Sequence, residues 1–193
     1  MSGSLFLVIA AGLGSYLLGA IPFSYLIPRI FLGTDVRRHG SGNPGASNVS
    51  RVCGKSYGAA ALALDVGKGM LAAYLVYRLG APAPLGFLAV LGHVFNPFFG
   101  FSGGKGVATS LGVLLYTSPL SALVFVAIWV AVILIWRMAG LSSLAAITTV
   151  PISIYFLDGI SPLLWAATSL ALLIYLTHRG NIVRIYRGEE REM

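Results

Sequence analysis

Acidic residues are scarce in this chain. Its 193 residues include 6 Asp plus Glu against 13 Lys plus Arg, which gives a formal net charge of +7. Only 10% of the residues are charged and 57% are hydrophobic. This composition excludes an ordinary water-soluble domain and predicts an integral membrane protein. The basic balance suits anionic lipid surfaces or anionic substrates better than nucleic acid.

Cysteine and histidine are also rare. The single cysteine, Cys53, excludes an internal disulfide, and the three histidines lack Cys-x-x-Cys or His-Glu-x-x-His spacing. We therefore predict no metal site and no cofactor. The N-terminus lacks the basic region of a signal peptide, and the apolar run 5–31 is too long for one, so we expect a first membrane helix there.

Seven apolar runs follow one another along the chain: 5–31, 59–77, 85–99, 107–117, 120–136, 144–157 and 163–177. The third and fourth would form helices of about 22 and about 16 Å, shorter than a hydrocarbon core of about 30 Å. They are either two short spans or one re-entrant hairpin. The sequence predicts an all-α integral membrane protein with about seven transmembrane helices, two of them short, in one transmembrane domain over residues 1–193. We expect residues 33–58 to form the only long polar loop.

The distribution of Lys and Arg predicts the orientation. With seven spans, Arg78 lies on one side, and the opposite side holds Arg29, Arg37, Arg38, Arg51, Lys55, Lys105, Arg137, Arg179, Arg184, Arg187 and Arg191. By the positive-inside rule the second side is cytoplasmic. We therefore expect the N-terminus outside and the C-terminus in the cytoplasm.

Three polar stretches, 40–51, 92–109 and 178–184, lie on the predicted cytoplasmic face. They contain Ser, Asn, His, Lys and Arg and almost no carboxylates, as expected of a site for phosphate groups. In the middle stretch, 101–106 reads Phe-Ser-Gly-Gly-Lys-Gly, where glycines, Lys105 and the start of a following helix predict an anion cradle. In the third, His178, Asn181 and Arg184 share one helical face.

Several apparent motifs are rejected on context. Residues 40–45 fit G-x-G-x-x-G, but no strand precedes them, so a dinucleotide site is excluded. Gly104-Lys105 lacks the spacing of a Walker A loop. Residues 100–104 fit G-x-S-x-G, yet apolar helices flank them instead of the strand that a nucleophile elbow needs.

Other polar residues have both structural and functional interpretations. Asp65 and Lys68, an i,i+3 pair in the second run, either stabilise that helix or contact substrate. His93, near Asn96, is either a hydrogen-bonded membrane histidine or a site residue, and the nearby glycine stretch favours the site. Lipid-headgroup anchoring is the preferred role for Arg37, Arg38, Arg187 and Arg191. The small residues Ala11, Ser15 and Gly19 predict close helix packing.

These polar stretches resemble the three motifs of the bacterial membrane acyl-phosphate:glycerol-3-phosphate acyltransferases. The likeness rests on Gly-Ser-Gly-Asn-Pro-Gly-Ala-Ser-Asn-Val-Ser-Arg at 40–51, the Gly-His through Gly-Gly-Lys-Gly-Val-Ala-Thr stretch at 92–109, and His-Arg-Gly-Asn-Ile-Val-Arg at 178–184. It covers essentially the whole chain. It implies acyl transfer from acyl phosphate, supplied by the bilayer, to the 1-hydroxyl of glycerol 3-phosphate. The products are lysophosphatidate and phosphate, in the first acylation of phospholipid synthesis at the bacterial inner membrane.

The resemblance also implies site residues. We predict four catalytic residues: Arg51, Lys105, His178 and Asn181. We predict that substrate is bound by Ser41, Gly42, Asn43, Gly45, Asn48, Lys68, His93, Gly103, Gly104 and Ser143. Among these, the glycines at 103 and 104 are expected to supply backbone donors, and Ser142 is the alternative to its neighbour Ser143.

The chemistry of an acyl phosphate fits a site rich in donors. Phosphate leaves with little acid assistance, so the protein mainly holds two anions together and stabilises the tetrahedral oxyanion. The proton acceptor is His178, His93 or a substrate phosphate. No His-x-x-x-x-Asp motif occurs, which favours acyl phosphate over a thioester donor. The alternatives are a small anion or phosphate-ester transporter and a non-catalytic lipid-binding or assembly subunit.

Overall fold

The computed structural model describes residues 5–192, and within that range the regular structure is entirely helical. Short 3-10 turns occur at Val36–Arg38, Ala83–Phe87 and Pro97–Phe99. The α-helices are α1 Leu5–Ala20, α2 Phe23–Leu32, α3 Ala46–Cys53, α4 Lys55–Arg78, α5 Leu88–Val94, α6 Val107–Thr117, α7 Pro119–Trp136, α8 Ala139–Asp158, α9 Pro162–Thr177 and α10 Arg179–Tyr186.

All seven predicted apolar runs appear as helical segments. Four are long and apolar enough to cross a membrane: Leu5–Leu32, Lys55–Arg78, Pro119–Trp136 and Ala139–Asp158. Three are shorter: Ala83–Phe99, Val107–Thr117 and Pro162–Thr177. Large apolar side chains such as Phe6, Leu134 and Phe156 are more than two-thirds exposed, as expected of helices that face lipid. The count of seven transmembrane helices stays a prediction.

The first apolar run is two helices rather than one. α1 ends at Ala20, and α2 begins at Phe23 after Pro22. Proline has no amide hydrogen and disfavours helical geometry in the residue before it, so the helix breaks at Ile21. Pro28, in contrast, lies inside α2 without ending it.

The prediction that residues 33–58 form a continuous polar loop is wrong. α3 lies within this range, and α4 begins at Lys55. The fully buried Val49 of α3 packs with Ile27, Val36 and Ala61, so burial of one apolar face stabilises a short helix in a polar sequence. Gly54, at φ 98°, separates α3 from α4 in a conformation that other residues rarely adopt.

The chain divides into two compact units, Met1–Thr117 and Ser118–Met193. In the first unit, α4 packs against α1, α3 and α6, and α1 packs against α5. In the second, α8 packs against α7, α9 and α10, with Ile147, Ile154 and Ile174 fully buried. The prediction of a single domain stays a prediction.

Close contact between α1 and α5 depends on glycine. A methyl group on Gly19 would overlap the backbone of Ala89, and one on Gly92 would overlap the carbonyl oxygen of Tyr16. Ala11 and Ser15 on the same face of α1 are each 3% exposed. The predicted packing role of these small residues is confirmed.

We expect Gly19→Ala to destabilise the protein because the new methyl group would separate α1 from α5. Overpacking of this kind costs about 1–3 kcal/mol. The matched control is Gly14→Ala on the same helix, where nothing lies within 4 Å of an added methyl group. Alanine is favoured over glycine in a helix by about 1 kcal/mol, so the control should be as stable as the original or more so. Thermal unfolding in detergent distinguishes the two variants, and equal midpoints would contradict the prediction.

Candidate functional site

The first unit contains a polar cavity of about 370 Å³. Its walls are Arg37, Ser41, Gly42, Asn43, Pro44, Phe99, Ser102 and Gly103. Two of the three predicted polar stretches, 40–51 and 92–109, therefore lie side by side. No carboxylate is part of this lining, and the polar side chains there are an arginine, an asparagine and two serines, which suits an anionic ligand.

Asn48 organises the first polar stretch. Its side-chain oxygen accepts a hydrogen bond from the Ser41 backbone N–H at 2.8 Å, and its amide nitrogen donates to the carbonyls of Val36 at 2.9 Å and His39 at 3.1 Å. The side chain is 1% exposed. Asn48 thus holds the turn that carries Ser41, and its predicted contact with substrate stays a prediction.

Arg37 lies against the cavity in a fixed position. Its Nε and Nη2 donate to the two oxygens of Asp35 at 2.9 and 2.8 Å. The hydrogen bond from Arg37 lowers the pKa of Asp35 to about 2. The guanidinium carbon lies 4.5 Å from the centre of the Tyr25 ring and 4.6 Å from that of Phe99, which adds cation–π attraction. The Arg37 side chain is thus engaged with Asp35, Tyr25 and Phe99, whereas the Arg38 side chain is 84% exposed. The lipid-anchor roles expected for both residues stay predictions.

The glycine stretch folds back on the end of α5. Gly103 N–H donates to the Val94 carbonyl at 2.8 Å, and Gly104 N–H donates to the His93 carbonyl at 3.1 Å. These two N–H groups are engaged within the protein, contrary to the prediction that they donate to substrate. The carbonyls at the C-terminal end of α5 have no partners within their own helix, so they accept these bonds.

Asn96 connects the same stretch to α1. Its amide nitrogen donates to the Ala20 carbonyl at 2.6 Å, and its side-chain oxygen accepts from Phe98 N–H at 3.0 Å. The backbone carbonyl of Asn96 accepts from Phe101 N–H at 2.8 Å. Since Asn96 is 2% exposed, it positions the turn rather than lining it.

The predicted Asp65–Lys68 pair is confirmed as an ion pair, with Nζ 2.8 Å from Oδ1. Within residues 5–192 that oxygen accepts no directed hydrogen bond. Lys68 also donates to the Ile21 carbonyl at 2.7 Å and contacts His93 Nδ1 at 2.9 Å. Ser24 donates to the other carboxylate oxygen at 2.5 Å. Ser24, Asp65, Lys68 and His93 are all less than 10% exposed, so each charge is compensated locally.

In the second unit, the predicted residues His178 and Asn181 are both buried. His178 Nδ1 lies 2.9 Å from the Ile174 carbonyl oxygen. A carbonyl only accepts, so Nδ1 carries the proton and Nε2 is the acceptor nitrogen of the neutral ring. Asn181 donates to Glu190 Oε1 at 2.6 Å, and Arg184 donates to Oε2 at 2.9 Å.

The two candidate serines of α8 are engaged with backbone. Ser143 donates to the Ala139 carbonyl at 2.7 Å and accepts from Trp129 Nε1 at 3.3 Å. Ser142 donates to the Met138 carbonyl at 2.9 Å. Both serines are buried, and the structure does not separate the two alternatives.

The remaining predicted residues lie at helix ends. Gly45 immediately precedes α3, Arg51 is exposed in its last turn, and half-buried Lys105 lies two residues before α6. The sequence interpretation missed Ser24 and Glu190. Ser24 lies in an apolar run and Glu190 in a charged tail, so neither carried a signal of its own.

Comparison with known proteins identifies the family of this chain. Residues 9–188 match the family described as glycerol-3-phosphate acyltransferase. A glycerol-3-phosphate acyltransferase of Myxococcus xanthus is 46% identical over 91% of this chain and 94% of its own. That of Trichlorobacter lovleyi is 40% identical over 92% and 93%.

The fold is similar to crystal structures of PlsY (YgiH), an integral membrane glycerol 3-phosphate acyltransferase. Its glycerol 3-phosphate form has a TM-score of 0.89 and 37% identity. Its lysophosphatidic acid form has 0.85 and 36%. Each comparison covers 100% of this chain and 96% of the other. The chain is therefore an integral membrane protein that belongs to the glycerol-3-phosphate acyltransferase family.

Proposed function

We propose that this enzyme transfers a fatty acyl group from acyl phosphate to the 1-hydroxyl of glycerol 3-phosphate, forming lysophosphatidate and phosphate. Family membership supports the acyltransferase activity. The observation that carries the proposal is the cavity where the first two polar stretches meet, which has an arginine, an asparagine and two serines in its walls and no carboxylate. Such a lining favours a phosphate-bearing substrate.

The reaction needs positioning more than acid catalysis. The 1-hydroxyl oxygen attacks the carbonyl carbon of acyl phosphate, and negative charge develops on the carbonyl oxygen. The bond from carbon to the phosphate oxygen then breaks, and phosphate leaves with the bonding electrons. The hydroxyl proton passes to a base. Hydrogen-bond donors and cations that stabilise the oxyanion and hold both phosphates supply most of the catalysis.

We assign roles from charge and hydrogen-bond geometry. Lys105 and Arg51 bind phosphate oxygens. His178 has Nε2 as its acceptor nitrogen because Nδ1 donates to the Ile174 carbonyl, so it suits the role of proton acceptor, with a substrate phosphate as the alternative. Asn181 supplies a donor oriented by Glu190.

We further propose that seven helices cross the bacterial inner membrane, with the N-terminus outside and the C-terminus in the cytoplasm. The supporting feature is the clustering of Lys and Arg on one side of the predicted spans. The polar stretches then face the cytoplasm, where glycerol 3-phosphate is dissolved, and acyl phosphate arrives from the bilayer.

Purified protein given acyl phosphate and glycerol 3-phosphate should release lysophosphatidate and inorganic phosphate in equal amounts. Omission of glycerol 3-phosphate should abolish lysophosphatidate formation. The proposed function would be wrong if no lysophosphatidate formed and liposomes containing the protein accumulated phosphate or glycerol 3-phosphate instead.

Lys105→Ala and Arg51→Ala should each lower kcat/KM for acyl transfer by more than about tenfold, roughly 1.4 kcal/mol of transition-state stabilisation. Each variant removes a positive charge that we assign to a phosphate. The matched controls are Lys55→Ala and Arg38→Ala, which remove the same charges from exposed positions and should change activity by about twofold or less. Losses in the first pair no larger than in the controls would assign Lys105 and Arg51 to peripheral roles.

Single-cysteine labelling tests the orientation. In a Cys53→Ser background, Arg78→Cys should react with a membrane-impermeant maleimide in intact spheroplasts, because we place that end of α4 outside. Arg191→Cys should react only after the membrane is opened. The reverse pattern would overturn the proposed orientation, and labelling of both in intact spheroplasts would exclude an odd number of spans between α4 and the C-terminus.

A further inference from the structure

His93 is held from one side by a buried cation. Its Nδ1 lies 2.9 Å from Lys68 Nζ. The ammonium group also donates to the Ile21 carbonyl at 2.7 Å and pairs with Asp65 at 2.8 Å. An ammonium group has donors but no acceptor, so Nδ1 must accept a hydrogen bond from Lys68 rather than carry a proton of its own.

This contact determines the tautomer of the ring. A neutral imidazole with an unprotonated Nδ1 carries its proton on Nε2. A second proton on Nδ1 would face the Lys68 ammonium at hydrogen-bond distance, which like-charge repulsion opposes. His93 is therefore a neutral ring whose donor is Nε2–H.

Nε2 faces the glycine stretch. A methyl group on Gly104 would overlap the Nε2 atom, so Nε2 lies directly against the Cα of that glycine. The contacts of the His93 ring with Lys68 and Asp65 both involve Nδ1, which lies 3.8 Å from Asp65 Oδ1. The His93 side chain is 8% exposed. Nε2 is therefore the nitrogen of the ring that faces the glycine stretch.

We infer that Lys68 fixes His93 as a neutral hydrogen-bond donor, through Nε2–H, to an oxygen of a phosphate-bearing substrate at the glycine stretch, and that His93 is not the proton acceptor of the reaction. The inference rests on the proposed acyl transfer for the identity of the substrate. A donor with no basic lone pair stabilises an anion without competing for the hydroxyl proton.

The residues behind His93 act as positioning residues. Asp65 compensates the charge of Lys68, and Ser24 donates to the free side of that carboxylate. The ring therefore has one orientation and one tautomer before substrate arrives. His178 has the opposite arrangement, because its Nδ1 donates to a carbonyl and its Nε2 accepts.

Nitrogen-15 NMR of the intact protein, labelled with nitrogen-15 histidine, tests the tautomer directly. The His93 signals, assigned by their loss in His93→Gln, should report an unprotonated Nδ1 and a protonated Nε2 from about pH 5 to about pH 8, the range in which an unperturbed histidine loses its charge. A ring that titrates in this range, or that carries its proton on Nδ1, would overturn the inference. This measurement needs no turnover, so it stands whether or not acyl transfer is observed.

Ligand addition tests the contact. Saturating glycerol 3-phosphate or inorganic phosphate, added separately, should shift the His93 Nε2 resonance and leave that of exposed His39 unchanged. The two additions distinguish a phosphate ester from free phosphate at this position. If neither shifts Nε2, His93 does not contact substrate and the inference fails.

Kinetics of paired variants separate a donor from a base. His93→Gln keeps an amide that accepts from Lys68 and donates toward Gly104, so kcat/KM should fall by less than about tenfold and the shape of the pH–rate profile should not change. His93→Leu removes the donor and should cost about 100-fold or more. His39→Gln, at an exposed histidine, is the control and should match the original enzyme. Loss of activity in His93→Gln equal to that in His93→Leu, together with loss of the acid-side limb of the profile, where an essential base becomes protonated, would identify His93 as the proton acceptor.

A third variant tests the positioning role of Lys68. In the double variant Asp65→Asn with Lys68→Met, both buried charges are removed together, so neither is left uncompensated. His93 should then populate both neutral tautomers in the NMR experiment. An unchanged pure Nε2–H tautomer would show that Lys68 does not fix the ring.

Discussion

The packing of the first unit depends on the interactions that compensate the buried ammonium group of Lys68. A cation that is 3% exposed in an apolar helix is costly unless acceptors replace its water. Its partners come from three places in the chain: Asp65 on α4, the Ile21 carbonyl between α1 and α2, and His93 on α5. Satisfying one charge therefore fixes α4, α5 and the end of α1 relative to one another.

The break at Pro22 makes this arrangement possible. The last carbonyls of a helix have no partner within it, and the two at this break accept side-chain donors instead. Asn96 donates to the Ala20 carbonyl and Lys68 to the Ile21 carbonyl. Since Asn96 and His93 both belong to the second polar stretch, the helix break anchors the backbone that carries the glycines. The N–H groups of Gly103 and Gly104 donate to backbone carbonyls of α5, so the donors left for a substrate are mainly side chains.

Local sequence patterns predicted those features that depend on neighbours along the chain. The apolar runs predicted all seven helical segments, and the i,i+3 spacing of Asp65 and Lys68 predicted their ion pair. α3 was not predicted because the packing that stabilises it, such as Val49 against Ile27, Val36 and Ala61, joins residues that are distant in the sequence. The stacking of Arg37 on Phe99 was not predicted for the same reason: it joins residues far apart in the chain, and no local sequence pattern indicates such a contact.

The scarcity of acidic residues takes on a specific meaning in the folded chain. Asp65 compensates Lys68, Asp35 holds Arg37, and Glu190 holds Arg184 and Asn181. Each of these carboxylates pairs with a cationic or amide donor, and none lies in the wall of the cavity. A carboxylate facing a phosphate would repel it, whereas one placed behind the donor orients that donor and lowers the cost of burying it. A carboxylate weakens phosphate binding when it faces the phosphate and strengthens it when it orients a donor. Asp65, Asp35 and Glu190 are placed in the second way, so these few acids support three separate groups of donors.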